Sequence, residues 1–122
     1  MLDAQDAHLN ESVLREVLPK ECESTGRANV RDIVRTGGDV HFVKPNDASE
    51  LDFHTVLPIV AAAAAILAHS LSALKNMSEP KKKSPEQISV EIIVKLPAQL
   101  AEKLGPETTT KLVDTLIKRL EN

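Results

Sequence analysis

An uncharged run of 19 residues, from Val56 to Leu74, constrains the fold of this chain more than any other feature. Its length approaches the ~20 residues that an α-helix needs to cross a bilayer. Acidic residues precede the run and a basic segment, Lys75 and Lys81–Lys83, follows it. The positive-inside rule would then place the C-terminal part in the cytoplasm. The run therefore predicts one long helix, either a membrane span at about 56–74 or a buried helix of a soluble fold.

The large apolar residues of this run alternate at steps of four and three, which aligns them on one side of a helix. Together with Ala64 they form a continuous interaction seam of six large residues: Phe53, Leu57, Val60, Leu67, Leu71 and Leu74. The opposite positions, among them Ala62, Ala65 and His69, are small or polar. Packing against protein requires such a gradient, whereas surrounding lipid does not. We therefore predict that residues 48–77 form a buried or self-associating helix, with the membrane span as the alternative.

The N-terminal part, residues 1–47, predicts helices followed by a short strand. Apolar residues at helical spacing predict a helix over Asp3–Leu18 that Pro19 stops. Polar residues with Gly26 predict a loop over Lys20–Ala28, and Asn29–Arg35 predicts a second, short helix. Val40–Val43 is β-prone and precedes a turn sequence, so we expect a short strand there.

The C-terminal part begins with a linker, residues 78–87, that contains two prolines and a lysine run. Beyond it, apolar and polar residues alternate, which predicts a strand over Ser89–Leu96. Prolines at positions 97 and 106 and Gly105 predict two terminal helices, so residues 88–122 would be a strand and two helices. The expected fold is one α+β domain over residues 1–122, with amphipathic helices packed on a small β-sheet around the long Ala-rich central helix.

Composition excludes several functional classes. Phe42 and Phe53 are the only aromatic residues, so the chain lacks the stacking platforms of single-strand nucleic-acid and RNA modules. Cys22 stands alone and forms no internal disulfide, which suits a reducing compartment, so we expect a cytoplasmic location, with the membrane as the alternative. The net charge is −3, with an excess of acids before residue 56 and of bases after it. This asymmetry favours oriented association with another protein or with a membrane.

The candidate catalytic and metal-binding residues do not form a recognisable site. The four histidines, His8, His41, His54 and His69, have no partners at metal-ligand spacing. Cys22 lies between two glutamates, which disfavour its thiolate form. Gly37-Gly38 precedes a predicted strand and does not match a nucleotide-binding loop. We therefore predict a protein without enzymatic activity, metal or cofactor.

Residues 98–120 resemble a DNA-binding helix-turn-helix. Gln99–Gly105 looks like the first helix and turn of that motif, and Thr108–Val113 looks like the start of its recognition helix. However, the interval from Gly105 to Leu112 is about two residues shorter than in the motif, and no basic wing follows. An acidic chain also attracts phosphate poorly. DNA binding is therefore a minor alternative, and nucleic acid is not the expected partner.

The chain also resembles the small bacterial effector-associated and protease-co-occurring adaptor domains. The likeness rests on Ala68–Leu74 followed by Ile88–Ile92, within the order of elements predicted from Val40 onward. It covers about the last two-thirds of the chain. The resemblance implies homotypic docking that couples sensors to effectors in bacterial conflict or signalling systems. The predicted function is thus a non-enzymatic adaptor or self-associating module, whose partner is protein and which forms a homo-oligomer.

Overall fold

A computed structural model describes residues 2–40, 50–77 and 82–121, and 85% of these residues are helical. The helices are α1 (Ala4–Val17), α2 (Pro19–Thr25), α3 (Arg27–Arg35), α4 (Glu50–Asn76), α5 (Pro85–Lys95), α6 (Ala98–Leu104) and α7 (Pro106–Glu121). The described part of the chain contains no β-strand. The fold is therefore all-α, and the predicted α+β fold with its small sheet is wrong.

The segment predicted as the strand Ser89–Leu96 belongs to helix α5. Ser84 caps the helix: its side chain accepts a hydrogen bond from the Gln87 amide, and the Gln87 side chain accepts one from the Ser84 amide. Pro85 follows at the first helical position, where its missing N–H has no intrahelical partner to lose. This capping box fixes a helix start within the predicted linker 78–87, of which residues 78–81 lie outside the described residues.

The other predicted strand, Val40–Val43, is described only at Val40, which is not in a strand. The remaining residues of that segment lie outside the described part of the chain.

The N-terminal helix agrees with the prediction, but the loop predicted after it is helical. Helix α1 ends at Val17, and Pro19 begins α2 at the first helical position, where proline is favoured. Gly26, at φ 96°, then separates α2 from α3. The expected loop over Lys20–Ala28 is therefore wrong: these residues form most of α2, Gly26 in a left-handed conformation and the start of α3.

Helix α4 is the central element, since it packs against each of the other six helices. In its middle it is buried on almost every side, including Val60, Ala63 and Leu67. These residues form one hydrophobic cluster with apolar side chains from α1, α3, α5 and α7. The described helices therefore share a single core built around the alanine-rich helix that the sequence predicts.

Candidate docking face on helix α5

Two valines on α5 project into solvent. Val90 is 62% exposed and Val94 is 77% exposed, and they are one helical turn apart. The buried side of α5 carries Ile88, Ile92 and Leu96 and packs mainly against α7. Because successive helical residues are about 100° apart, the two valines lie opposite this buried side. They therefore occupy the centre of the outward face of α5.

Valine at an exposed helical position has no benefit for the isolated chain. Its branched side chain loses rotamer freedom in a helix, so alanine or a long polar residue would favour the helix more. An apolar side chain contributes to stability when it is removed from water, and these two valines remain in contact with water. Two such residues on one turn therefore form a small exposed apolar surface on α5.

A hollow of about 460 Å³ lies where Ile93, the residue before Val94, meets the turn between α6 and α7. Its walls are mostly apolar or small: Ile93, Ala101, Glu102, Gly105, Pro106, Thr109 and Thr110. Gly105 has φ 83° and forms the whole connection between the two helices. The valines and this hollow are called the docking face below. Exposed valines and a hollow that share helix α5 offer a partner both an apolar surface and a recess.

An ion pair borders the docking face. The Lys83 ammonium donates hydrogen bonds to both carboxylate oxygens of Glu91, at 2.8 and 3.0 Å. These bonds lower the pKa of Glu91, with Lys95 one turn further along as a minor cause. Glu91 therefore stays ionised and places a negative charge beside the valine pair. Such a charged rim around an apolar centre is typical of protein interfaces.

The six seam residues on α4 lie in the core of the same chain. Phe53, Val60, Leu67 and Leu71 are buried, whereas Leu57 and Leu74 are half-buried. Neighbouring helices of the same chain cover the seam, so it offers no open surface to a second molecule. The opposite positions are exposed near both helix ends, whereas Ala62 is buried and Ala65 half-buried. Unlike the seam, the valine pair of the docking face on α5 is exposed to solvent.

The histidines show no convergence. His8, His54 and His69 are exposed, and His41 lies outside the described residues. The ring of His54 meets Phe53 edge to face, with 5.7 Å between ring centroids. Among the described residues, no three metal-ligating side chains come together.

The Cys22 thiol lies on α2 and is buried. Burial raises its pKa from 9.0 to about 11; the negative charges of Glu21 and Glu11 add to the shift, and Arg15 opposes it. The thiol therefore stays protonated at neutral pH. A protonated, enclosed thiol is a poor nucleophile.

Helices α6 and α7 differ from a helix-turn-helix in their connection. Gly105 alone separates them, whereas that motif uses a turn of about three or four residues. The outward side of α7 alternates acids and bases, namely Glu107, Lys111, Asp114 and Lys118. This alternation gives no continuous positive surface for a phosphate backbone.

By length and composition alone, α4 is apolar enough to cross a membrane. The most apolar stretch within Phe53–Asn76 has a mean hydropathy of 1.9, and 44% of the residues in that stretch are buried within the fold. The core helix of a soluble protein meets the same criterion. Six helices of the chain pack around α4, so apolar neighbours are supplied by the protein itself.

Comparisons with family models, with curated proteins and with solved structures found no match to this chain. Its function must therefore be inferred from the chemistry of its own exposed surfaces.

Proposed function

We propose that this protein is a non-catalytic interaction module that self-associates through the docking face on α5. The observation that carries the proposal is the pair of exposed valines at the centre of that face. The resemblance to bacterial adaptor domains depends on a strand at Ile88–Ile92, a segment that is helical in α5, so it adds no support here.

A second copy is a suitable occupant because the face complements itself. In an antiparallel pairing of two α5 helices around Ile92, Val90 of one copy faces Val94 of the other. The same pairing brings Glu91 of one copy beside Lys95 of the other, on both sides of the two-fold axis. An isologous contact of this kind doubles every favourable pair. The face centres on only two exposed valines, whereas a standard interface buries ~800 Å² per partner, so we expect a weak dimer that depends on concentration.

The same proposal treats α4 as the core helix of a soluble, cytoplasmic protein. Enclosure by six helices supports this interpretation over a membrane span at 56–74. The lone, buried Cys22 fits a reducing compartment. The mixed charges on α7 argue against nucleic acid as the partner of residues 98–120.

Sedimentation velocity of the purified chain tests the proposal. Between about 5 and 500 µM, a range suited to weak dimers, the wild-type protein should shift from monomer towards dimer. The double variant Val90→Lys/Val94→Lys should remain monomeric, because it places four like-charged ammonium groups at the contact, two from each copy. Its helical content and thermal unfolding should be unchanged or slightly improved, since lysine favours helices more than valine does. Ser72→Lys, at an exposed position on α4, serves as the control and should dimerise like the wild type.

Two results would contradict the proposal. One is a wild-type protein that stays monomeric over the whole concentration range; the other is a double variant that dimerises as well as the wild type. Recovery of the protein only from membranes would contradict the soluble core-helix interpretation and favour the span.

A further inference from the structure

The basic residues of this chain are unevenly divided between arginine and lysine. Four of the five arginines lie between Arg15 and Arg35, whereas nine of the ten lysines lie outside residues 1–40. The two side chains carry the same charge but differ in chemistry. A guanidinium presents a planar fork of N–H donors that matches a carboxylate, whereas an ammonium is a point charge. A surface that uses arginine where the rest of the chain uses lysine therefore indicates carboxylate or phosphate recognition.

Three of these arginines form a stripe along α3. Arg27, Arg31 and Arg35 are four residues apart and all exposed. Helix α1 runs antiparallel to α3 beside this stripe. The Leu2 amide donates to the Arg35 carbonyl oxygen at 3.0 Å at one end, and Glu11 lies 3.4 Å from Arg31 further along.

A groove of about 640 Å³ lies between α1 and α3. Four of its lining residues are small or apolar and five are polar or charged: Leu2, Ala4, Ala7 and Ala28, and His8, Glu11, Arg31, Asp32 and Arg35. It is called the arginine groove below. The three lining alanines have short side chains and leave room for another backbone to approach closely.

The guanidinium groups of the groove are loosely held within the chain. Arg31 lies 3.4 Å from Glu11 and Arg35 lies 3.8 Å from Asp32, both longer than the ~2.7–2.9 Å of a charge-assisted hydrogen bond. Glu11 instead accepts a hydrogen bond of 2.9 Å from Arg15. The Arg31 and Arg35 side chains are 59% and 55% exposed. Their forks therefore keep N–H donors directed towards solvent.

The guanidinium of the fifth arginine, in contrast, makes short hydrogen bonds within the chain. Arg119 on α7 donates hydrogen bonds of 2.6 Å to Ser12 and to Glu16 on α1. It joins two helices of the chain. Arg31 and Arg35 make no contact as short as these among the described residues, which distinguishes them from a structural arginine.

We propose that the arginine groove docks an acidic amphipathic helix of a partner protein. Arg31 and Arg35 are one helical turn apart, so their Cβ atoms have the ~5–6 Å spacing of glutamates at positions i and i+4 of a partner helix. The lining alanines accommodate an apolar side chain between those glutamates. Glu11 and Asp32 of the groove pair with basic residues of the same helix and repel a uniformly charged phosphate backbone. This surface lies on α1 and α3 and is independent of the docking face on α5.

Fluorescence anisotropy with the full chain tests the proposal. The probe is a labelled, amidated peptide of about 15 residues, the length at which an isolated helix begins to form. It carries leucine and alanine on one side, flanked by glutamates one turn apart, and the control peptide has glutamine in place of every glutamate. The glutamate peptide should bind at least about tenfold more tightly than the glutamine peptide.

Variants of the chain separate the fork from the charge. Arg31→Gln/Arg35→Gln should weaken binding about tenfold or more, and Arg31→Lys/Arg35→Lys should weaken it about threefold to fivefold because the fork is lost. Lys103→Gln, at an exposed position on α6, is the matched control and should leave the affinity unchanged. Val90→Lys/Val94→Lys should also bind the peptide normally, which separates this proposal from self-association.

Several results would overturn the proposal. Equal binding of both peptides would make the groove merely apolar, and wild-type affinity in the glutamine variant would exclude Arg31 and Arg35. An unchanged affinity in the lysine variant would remove the role of the guanidinium fork. A single-stranded oligonucleotide of about 15 nucleotides that displaces the peptide, and that depends on the same arginines, would assign the groove to phosphate instead.

Discussion

Gly38 lies directly against the backbone of Ala61: a Cβ atom added at Gly38 would come within 2.8 Å of the Ala61 carbonyl oxygen. The same atom would lie 3.1 Å from the Cβ of Ala65. Gly37 and Gly38 end α3 in a Schellman motif, in which the Gly38 amide donates to Ile33 and the Gly37 amide to Val34. The alanine run of α4 therefore meets the glycine turn of α3, and small residues on both sides permit the close approach.

Substitution of Gly38 should be far more damaging than substitution of Gly105. Gly38→Ala combines a positive φ of 108° with a steric clash, and should lower the free energy of unfolding by about 2–5 kcal/mol. Gly105→Ala has a positive φ of 83° but nothing within 4 Å of the added atom. It should lower the free energy of unfolding by only about 1–2 kcal/mol. Urea denaturation measures both; equal losses would show that the contact with Ala61 is not tight.

Most helices were predictable from local signals. Prolines, glycines and polar breaks mark the ends of α1, α4, α6 and α7, and the observed bounds lie close to the predicted ones. These signals work because they act on the backbone of one or two residues, whatever the tertiary contacts. Pro19 misled the prediction, since proline both ends one helix and begins the next.

Helix α5 was mispredicted because its apolar residues occupy two faces. Ile88, Ile92 and Leu96 follow helical spacing on the buried side, but Val90 and Val94 fill the positions between them. The combined pattern alternates, as in a strand. The Ser84–Gln87 capping box was the local signal that favours a helix. The residues that broke the helical pattern are the ones now assigned to the docking face.

The seam on α4 was predicted as a packing surface; four of its six residues are buried and two, Leu57 and Leu74, are half-buried within the same chain. Its partner was not predictable, since a heptad-like spacing is the same whether the neighbouring helix belongs to the same chain or to another. The arginine groove was also missed. Its signal is present in the sequence as the four-residue spacing of Arg27, Arg31 and Arg35, but only the antiparallel placement of α1 reveals a groove.

The buried thiol of Cys22 should give the protein a specific sensitivity to alkaline pH. The folded state keeps the thiol protonated up to its raised pKa of about 11, whereas the unfolded chain loses that proton near its ordinary pKa of 9.0. Between these values the unfolded chain binds fewer protons than the folded one. The free energy of unfolding therefore falls as pH rises through this window, and below pH 9 the effect is absent.

Cys22→Ala removes this contribution. Urea denaturation at about pH 8 and about pH 10.5 should show a smaller loss of stability for the variant than for the wild type. The packing lost with the sulfur affects both pH values equally and cancels in the comparison. If the two proteins lost the same stability between these pH values, the thiol would not be the cause.

Asn10 occupies the buried side of α1 and is fully enclosed, with 0% of its surface exposed. Neither its amide nitrogen nor its oxygen has a hydrogen-bond partner among the described residues. An unpaired buried polar group costs about 1–3 kcal/mol, because it loses water without gaining a replacement. Asn10→Leu keeps the branching at Cγ and removes both polar atoms, so it should raise the free energy of unfolding by about 1 kcal/mol or more.

Asn29→Leu is the matched control: Asn29 donates a hydrogen bond of 3.0 Å to the Thr25 carbonyl oxygen, and the loss of this bond should lower the free energy of unfolding. Urea denaturation of the three proteins measures the contrast, and a destabilised Asn10→Leu variant would mean that the Asn10 amide has a polar partner in solution, such as a buried water.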